Sequence, residues 1–427
     1  VRILLVSYMH PMVTSGGSQQ IAYEMLLAAR QRGHDAFLIA ALEGEQEQEY
    51  GKPGAPIVPA PGAENEYFFF PQYYDYVHLS VGDPRSIKFF QHLVQMLQPE
   101  VIHFHHYHRV GVESIRAARL AAPKALIALT FHEMLAICLA DGQMLKRGSK
   151  DLCQTATLIG CHQCFPDLRP EFFQLRAERL KVFFDECDAF VFPTEFLADR
   201  YRVWGLDPKR CHVASNGQAH PSPNARRDHH SRNYNRFGFF GQLLDNKGID
   251  VVLEALRLLL KQHRVPECGI EFIINGGNRH YATEAYLKKI DDLVADITEQ
   301  ANGAIRIVTA GQYSRNHLAA RMADIDWVIV PSTWWETFGL VVSEAWMFGR
   351  PVIVSDIAGL GERVKDGANG FTFPPRNVEA LADIIERLTG NEKEWAKAHD
   401  SIQLDGTNLD MFDAHLRIWD NLRLPSP

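Results

Sequence analysis

The clearest chemistry in this chain lies in two glutamates, Glu336 and Glu344, within Pro331-Ser332-Thr333-Trp334-Trp335-Glu336-Thr337-Phe338-Gly339-Leu340-Val341-Val342-Ser343-Glu344-Ala345. The apolar run 327–330 predicts a buried strand ahead of them, and Gly339 predicts the start of a helix that carries Glu344 in its second turn. Both acids then sit at the carboxyl edge of a parallel sheet, where open α/β folds bind ligands. The amides of Gly339, Leu340 and Val341 at the helix start form an anion site, and the missing side chain at Gly339 lets a phosphate come close. Glu344 is placed to accept hydrogen bonds from ribose hydroxyls, and Glu336 to face whatever the phosphate carries. A phosphate-linked sugar meets both acids. On spacing alone, a solvated Glu344 and a capping Glu336 fit equally well.

The elements that must position these groups are short apolar runs alternating with amphipathic stretches, the pattern of parallel βαβ units. Strands are predicted at 2–7, 36–40, 101–104, 125–130 and 189–192, with a helix over 18–32 that stops at Gly33. A second series follows at 237–240, 270–275, 305–309, 327–330 and 351–354, with a helix over 249–262. Residues 220–235, rich in Pro, Asn, Arg, His and Ser, read as a linker. The division is therefore 1–217, 218–410 and a closing helical segment 411–427 that packs back on the first domain. The fold class is α/β, two Rossmann-like doubly wound parallel-sheet domains. The aromatic stretch Tyr67-Phe68-Phe69-Phe70-Pro71-Gln72-Tyr73-Tyr74 fits poorly and reads as an inserted loop whose rings pack on the domain.

With 427 residues, 46% of them hydrophobic and 22% charged, the chain has the apolar content for two folded domains and lacks the signature of disorder. A formal net charge of −8 provides no global field for a nucleic-acid backbone. No run approaches the roughly 18 apolar residues of a membrane span, and the opening residues do not read as a signal peptide, so a cytoplasmic protein is expected.

The glutamate motif resembles that of retaining glycosyltransferases of family four, which have the GT-B fold, two such domains with a cleft between them. Phe239-Phe240-Gly241-Gln242-Leu243 followed by Lys247-Gly248 resembles the family's diphosphate-gripping segment, and Asn275-Gly276-Gly277 its glycine turn. The stretches Ser355-Asp356, 359–362, Asp366-Gly367 and Asn369-Gly370-Phe371 resemble the close of the donor domain. In the first half, Ser15-Gly16-Gly17-Ser18 resembles the family's glycine-rich loop facing donor phosphate and acceptor, and Thr130-Phe131-His132-Glu133 the segment whose histidine lines the sugar pocket. The resemblance implies Glu336, His132 and Lys247 as catalytic residues. It implies Gly16, Gly17, Gln242, Lys247, Gly339, Leu340, Val341 and Glu344 as donor-binding residues. One departure stands out, since the family usually has arginine where this chain has Gln242, and an amide replaces a charged fork.

The implied reaction moves a hexose from a nucleotide diphosphate sugar, UDP- or GDP-linked, to a hydroxyl of a glycan or lipid-linked acceptor with retention, in surface polysaccharide synthesis at the inner face of a membrane. No catalytic metal is expected, because the single Asp-x-Asp, Asp324-Ile325-Asp326, precedes its strand and lies at the wrong sheet edge. The alternatives are a GT-B nucleotide-sugar epimerase and a catalytically silent metal-binding scaffold.

Cys138, Cys153, Cys161 and Cys164 fall in one loop-like region and end in Cys-His-Gln-Cys. Four thiols with a terminal CxxC can build a tetrahedral structural zinc site; unliganded reduced thiols, a cluster or disulfides also fit. In His103-Phe104-His105-His106, strand alternation sends His103 and His105 to one face and His106 to the other, which favours strand-end packing over a shared metal.

Overall fold

The computed structural model describes residues 1–14, 16–221, 233–277 and 279–423. Ser15 of the glycine-rich loop, residues 222–232 of the linker and residues 424–427 of the closing segment lie outside the described residues. The chain divides into two units, Val1–Ala219 with the segment from Gly406, and His220–Asp405.

The strands of the first unit are β1 (Arg2–Tyr8), β2 (Asp35–Ala41), β3 (Ile57–Pro59), β4 (Glu66–Phe69), β5 (Tyr74–Asp75), β6 (Ser80–Val81), β7 (Val101–Phe104), β8 (Leu126–Thr130), β9 (Ala189–Phe192) and β10 (Cys211–Val213). Its main sheet runs in the order β10-β9-β8-β7-β1-β2-β4-β3, parallel except where β3 meets β4. Uninterrupted runs such as Ile3-Leu4-Leu5-Val6 are buried throughout, as a parallel sheet covered on both faces requires. Residues 67–69 of the aromatic stretch are strand and not inserted loop, whereas 70–73 lie outside any strand, and its phenylalanine rings pack on the domain as expected. β4 extends the sheet beside β2, and Phe68, Phe69 and Phe70 are core residues. Its opening residue, Glu66, is buried, with His10 Nε2 at 2.7 Å and Arg30 Nη1 at 2.8 Å. Burial raises this carboxyl's pKa, and the hydrogen bonds and charges of His10 and Arg30 bring it below its ordinary value.

The closing helix, Asn408–Arg423, buries Met411, Phe412, His415 and Trp419 along one face. It lies on helix Gly17–Gln31, and just beyond that helix Arg32 pairs with Asp413.

The second unit holds β11 (Arg236–Gln242), β12 (Ile270–Gly277), β13 (Ile305–Thr309), β14 (Trp327–Val330), β15 (Val352–Ser355) and β16 (Gly370–Phe373), all parallel in the order β13-β12-β11-β14-β15-β16. Helix Ile249–Lys261 covers one face through Val252, Leu256 and Leu259, each contributing roughly 1.5–3 kcal/mol by leaving water. The strand order reverses between β11 and β14, so the loops after these two strands diverge to opposite faces and leave a crevice at their carboxyl ends.

Candidate active site

At that crevice, two loops are locked together by their backbones before any side chain is considered. After β11 the chain makes a tight turn, Asp245–Lys247, and leaves it through Gly248 at φ +70°. A Cβ on Gly248 would stand 2.0 Å from the Pro331 carbonyl oxygen, so this position demands glycine twice over. The loop after β14 answers with the Thr333 amide donating to the Asn246 carbonyl at 2.9 Å and the Thr333 hydroxyl donating to Asp245 at 3.3 Å.

The clasp brings Lys247 to Glu336. The ammonium Nζ lies 2.8 Å from Glu336 Oε2, and the same oxygen accepts from Ser332 Oγ at 3.1 Å and Trp334 Nε1 at 3.2 Å. Lys247 Nζ also stands 5.0 Å from the Trp334 ring centre. The glutamate side chain is 13% exposed and the lysine 25%. Burial pushes the Glu336 carboxyl up, but the Lys247 charge and the three hydrogen bonds hold it below its ordinary value, so it is a carboxylate at neutral pH.

Beyond Glu336 the chain reaches Gly339 at φ +78°, where a Cβ would meet Leu360 Cδ2 at 2.5 Å. Helix Leu340–Met347 begins here, and its first amides have no acceptor within the helix. Glu344, half-buried, lies one turn in, close enough to Tyr313 for its charge to add to the rise that burial imposes on that hydroxyl's pKa. Tyr313 in turn packs edge-on against Phe240 of β11 at 5.6 Å. Gln242 ends β11 in register with Gly277 of β12. Lys247, Glu336, Gln242, Gly339, Leu340, Val341 and Glu344 are thus all carried by the loops and helix starts at one end of the second unit's sheet. The Asp-x-Asp lies at the opposite end: Asp326 accepts from the Arg236 amide at 2.8 Å, and Asp324 lies 3.7 Å from the Arg236 side chain.

In the first unit, Gly16 caps helix Gly17–Gln31 in an extended conformation that any residue adopts, and a Cβ there would meet only the Gln19 side chain. His132 follows β8 and meets His105 Nδ1 at 3.4 Å through its Nε2. His105 stacks on His103 at 4.5 Å, and His103 lies 5.2 Å from His415 of the closing helix. His103 and His105 share a face, as alternation along β7 dictates. Burial first, and the charge of His415 second, lower His132 to about 3, so it is a neutral imidazole at physiological pH. Its neighbour Glu133 is raised to about 7 by burial, against hydrogen bonds from the Leu135 amide and the Tyr107 hydroxyl. Sequence reasoning gave no role to Glu133 or Trp334, although both lie inside the motifs it identified.

Cys138 and Cys153 join Cys161 and Cys164 of helix Leu158–Cys164 in lining one cavity of about 470 Å³, and none of the four is in a disulfide. Burial and the proximity of the other three thiols raise Cys161 to about 11. Among the described residues, no group of three or more His, Cys, Asp or Glu side chains is placed to hold a metal ion, so these four thiols do not form a coordination shell.

Residues 15–218 match the family model described as Glycosyltransferase Family 4, and residues 234–391 the model described as Glycosyl transferases group 1. The uncharacterized glycosyltransferase MJ1607 of Methanocaldococcus jannaschii is 26% identical over 184 residues, covering 43% of this chain and 41% of that one. D-inositol 3-phosphate glycosyltransferase of Mycobacterium marinum is 31% identical over 150 residues, 35% of this chain and 29% of that one. The chain spans about two fifths of the length of the first curated relatives it matches. Among solved structures, Anabaena Alr3699/HepE in complex with UDP has a TM-score of 0.65 at 16% identity, covering 99% of this chain and all of that one. Sucrose-phosphate synthase from Thermosynechococcus elongatus has a TM-score of 0.66 at 16% identity, covering 99% of each chain. At these identities the structural likeness establishes the fold, GT-B.

Proposed function

The chain belongs to the family 4 and group 1 glycosyltransferases of GT-B fold, and from that premise we propose that it transfers a hexose from a nucleotide diphosphate sugar to an acceptor hydroxyl with retention. The observation that carries this reading is the Lys247–Glu336 pair at the switch point, next to the helix start at Gly339, whose first amides have no acceptor within the helix.

In the proposed reaction the bond from the anomeric carbon to the diphosphate oxygen breaks, and the acceptor oxygen takes its place and gives its proton to the departing diphosphate. Negative charge accumulates on the departing diphosphate. Fixed amides of Gly339, Leu340 and Val341 and the Lys247 ammonium stabilise that charge without reorganising. Glu336, ionised and anchored by three donors, faces the positive charge that develops at the anomeric carbon. Glu344 takes the ribose hydroxyls, and Gln242 offers an amide to the diphosphate. The family resemblance also assigns Gly16 and Gly17 to the donor phosphate and His132 to the transferred sugar. No divalent metal is assigned a step, since both acids of the Asp-x-Asp are engaged at the far sheet edge.

The donor is proposed to be UDP- or GDP-linked and the acceptor a glycan or lipid-linked sugar of a surface polysaccharide, on the cytoplasmic side of a membrane. Support for the donor comes from the site's anion-binding amides. Among the described residues, no helix is long and apolar enough to cross a membrane. A structural zinc in the Cys138, Cys153, Cys161, Cys164 cavity remains a proposal that requires the thiols to close inward.

A thermal-shift panel of nucleotide sugars tests the donor, since a ligand at a hundredfold excess over its Kd adds about 2.7 kcal/mol of stability. With the donor found, Glu336→Gln should lower turnover by about a hundredfold or more. A near-native rate for this variant, or a product of inverted anomeric configuration, refutes the reading.

A further inference from the structure

Arg363 lies on the short helix Ala358–Arg363, outside the glutamate motif, yet its guanidinium reaches into the turn on which that motif ends. Nη1 donates to the Phe338 carbonyl at 2.8 Å and to the Gly339 carbonyl at 3.0 Å. Nη2 donates to Ser343 Oγ at 2.7 Å and to the Asp405 carboxylate. The guanidinium carbon sits 3.9 Å from the Phe338 ring centre and 5.3 Å from that of Trp346. The arginine side chain is 10% exposed and that of Asp405 18%.

The two carbonyls it grips are not arbitrary. The Phe338 carbonyl belongs to the same peptide plane as the Gly339 amide, and the Gly339 carbonyl to the same plane as the Leu340 amide. No peptide bond among the described residues is cis, so in each plane N–H and C=O point in opposite directions. Holding the oxygens on one side therefore fixes two amide hydrogens on the other. Gly339 needs this help more than most residues, because without a Cβ its peptide planes turn easily.

We propose that Arg363, with Asp405 as its counter-charge, is a positioning residue that aims the Gly339 and Leu340 amides at the donor diphosphate. Its own charge is spent on Asp405 and on carbonyls, so it orients the anion site and does not itself supply the cation. Lysine cannot replace it, since one ammonium cannot span two adjacent carbonyls, a hydroxyl and a carboxylate in a planar fork. Asp405 is the last residue of the second unit before the chain returns to the first at Gly406, so the same pair also fastens that exit to the donor turn.

The inference rests on the proposed donor site, and the experiment separates the two. Calorimetric titration of the full chain uses UDP, GDP or ADP, whichever the native protein binds tightest, and the matching nucleoside lacking phosphates. The native chain should bind the diphosphate at least about tenfold tighter than the nucleoside. Arg363→Met, Arg363→Lys and Asp405→Asn should each lose about tenfold in diphosphate affinity while nucleoside affinity stays within about twofold. A general loss of structure would weaken both ligands together and would overturn the assignment. So would a folded Arg363→Lys or Asp405→Asn protein that keeps the native ratio. If the native chain itself shows no preference for the diphosphate, the donor site is wrong and the inference falls with it.

Discussion

Replacing Lys247 by methionine tests whether the central ion pair holds the site together or carries its chemistry. The substitution keeps an apolar stem of similar length and removes the charge, leaving Glu336 with Ser332 and Trp334 as donors in surroundings where its side chain is only 13% exposed. Removing one partner of a fully buried pair costs about 3–5 kcal/mol. Here the lysine is 25% exposed, so water screens part of the interaction and about 2 kcal/mol is the better expectation. For a unit of this size that is a fall of about 4–8 °C in melting temperature. Adding Glu336→Gln removes the stranded charge while keeping an acceptor for Ser332 and Trp334, so the double variant should recover most of the lost stability. Turnover should behave in the opposite way: each single variant falls by about a hundredfold to a thousandfold, and the double variant recovers none of it. Acid adds a second signature. Burial already pushes the Glu336 carboxyl up, and without Lys247 its pKa rises, so the stability deficit of Lys247→Met should shrink as the pH drops and the carboxyl protonates. Differential scanning calorimetry across pH, paired with steady-state kinetics, reads all of this. A Lys247→Met protein with native melting temperature, or a double variant no more stable than the single, refutes the account of the pair.

Other predictions address neighbouring parts of the molecule. Gly248→Ala places a Cβ 2.0 Å from the Pro331 oxygen at a left-handed φ, so the two loops must part and turnover should drop more than about tenfold; a rate within twofold of native means the clasp does not position Lys247. Acid should destabilise the first unit. Unfolded imidazoles protonate near 6.5, whereas burial holds His415 to about 4 and His132 to about 3, with His103 and His105 also lowered. The penalty therefore begins as the pH falls below about 6.5 and grows until the folded groups protonate, while Glu133, raised to about 7, gains stability over part of that range and offsets a single histidine. Urea melts between pH 7.5 and 5 should show falling stability, with a shallower fall in His415→Phe; a flat profile contradicts the buried, neutral cluster. For the cysteine cavity, elemental analysis of protein purified without chelator tests the zinc proposal, which requires one zinc per chain that Cys161→Ser releases. Fully reduced, active protein with no metal and four reactive thiols rejects zinc.

What the sequence reveals here depends on whether a residue's partner is near in the chain or carried by a recurring motif. Most of the second sheet is legible because its strands are largely apolar runs, such as Trp327-Val328-Ile329-Val330, closed by polar or glycine punctuation, whereas β16, a four-residue strand that opens on Gly370, is not among the predicted ones. β4 was not legible, because its strand opens on a glutamate in Pro- and Gly-rich surroundings. That charge is tolerable only through Arg30 and His10, and nothing local announces either. The same holds in the active site. Lys247 and Glu336 were each identifiable by type and motif, but their direct bond spans 89 positions and exists because β11 and β14 are neighbours across the switch point. Arg363 carried no signal at all, since its role depends on two carbonyls, and carbonyls have no letter in a sequence.

Gln242 is where these threads meet. The resembled family carries arginine there, and the cations near this site are already committed: Lys247 to Glu336, and Arg363 to Asp405. An incoming diphosphate must be held largely by oriented amides, with Lys247 shared between it and Glu336. Installing the missing charge by Gln242→Arg should then improve binding. In the proposed site the glutamine amide already donates to the charged diphosphate, so the gain is that of the added charge alone, about 1 kcal/mol, and nucleoside diphosphate affinity should rise by about fivefold with a steeper dependence on salt. Turnover need not rise with it, because a cation that binds substrate and departing diphosphate equally well lowers KM without lowering the barrier. Gln242→Ala should weaken binding by the loss of one hydrogen bond to a charged group, about 1.5–3 kcal/mol. Titration with the same diphosphate at two salt concentrations decides the matter. If neither variant changes affinity, the end of β11 does not touch the diphosphate, and the donor must lie across the sheet edge in another register.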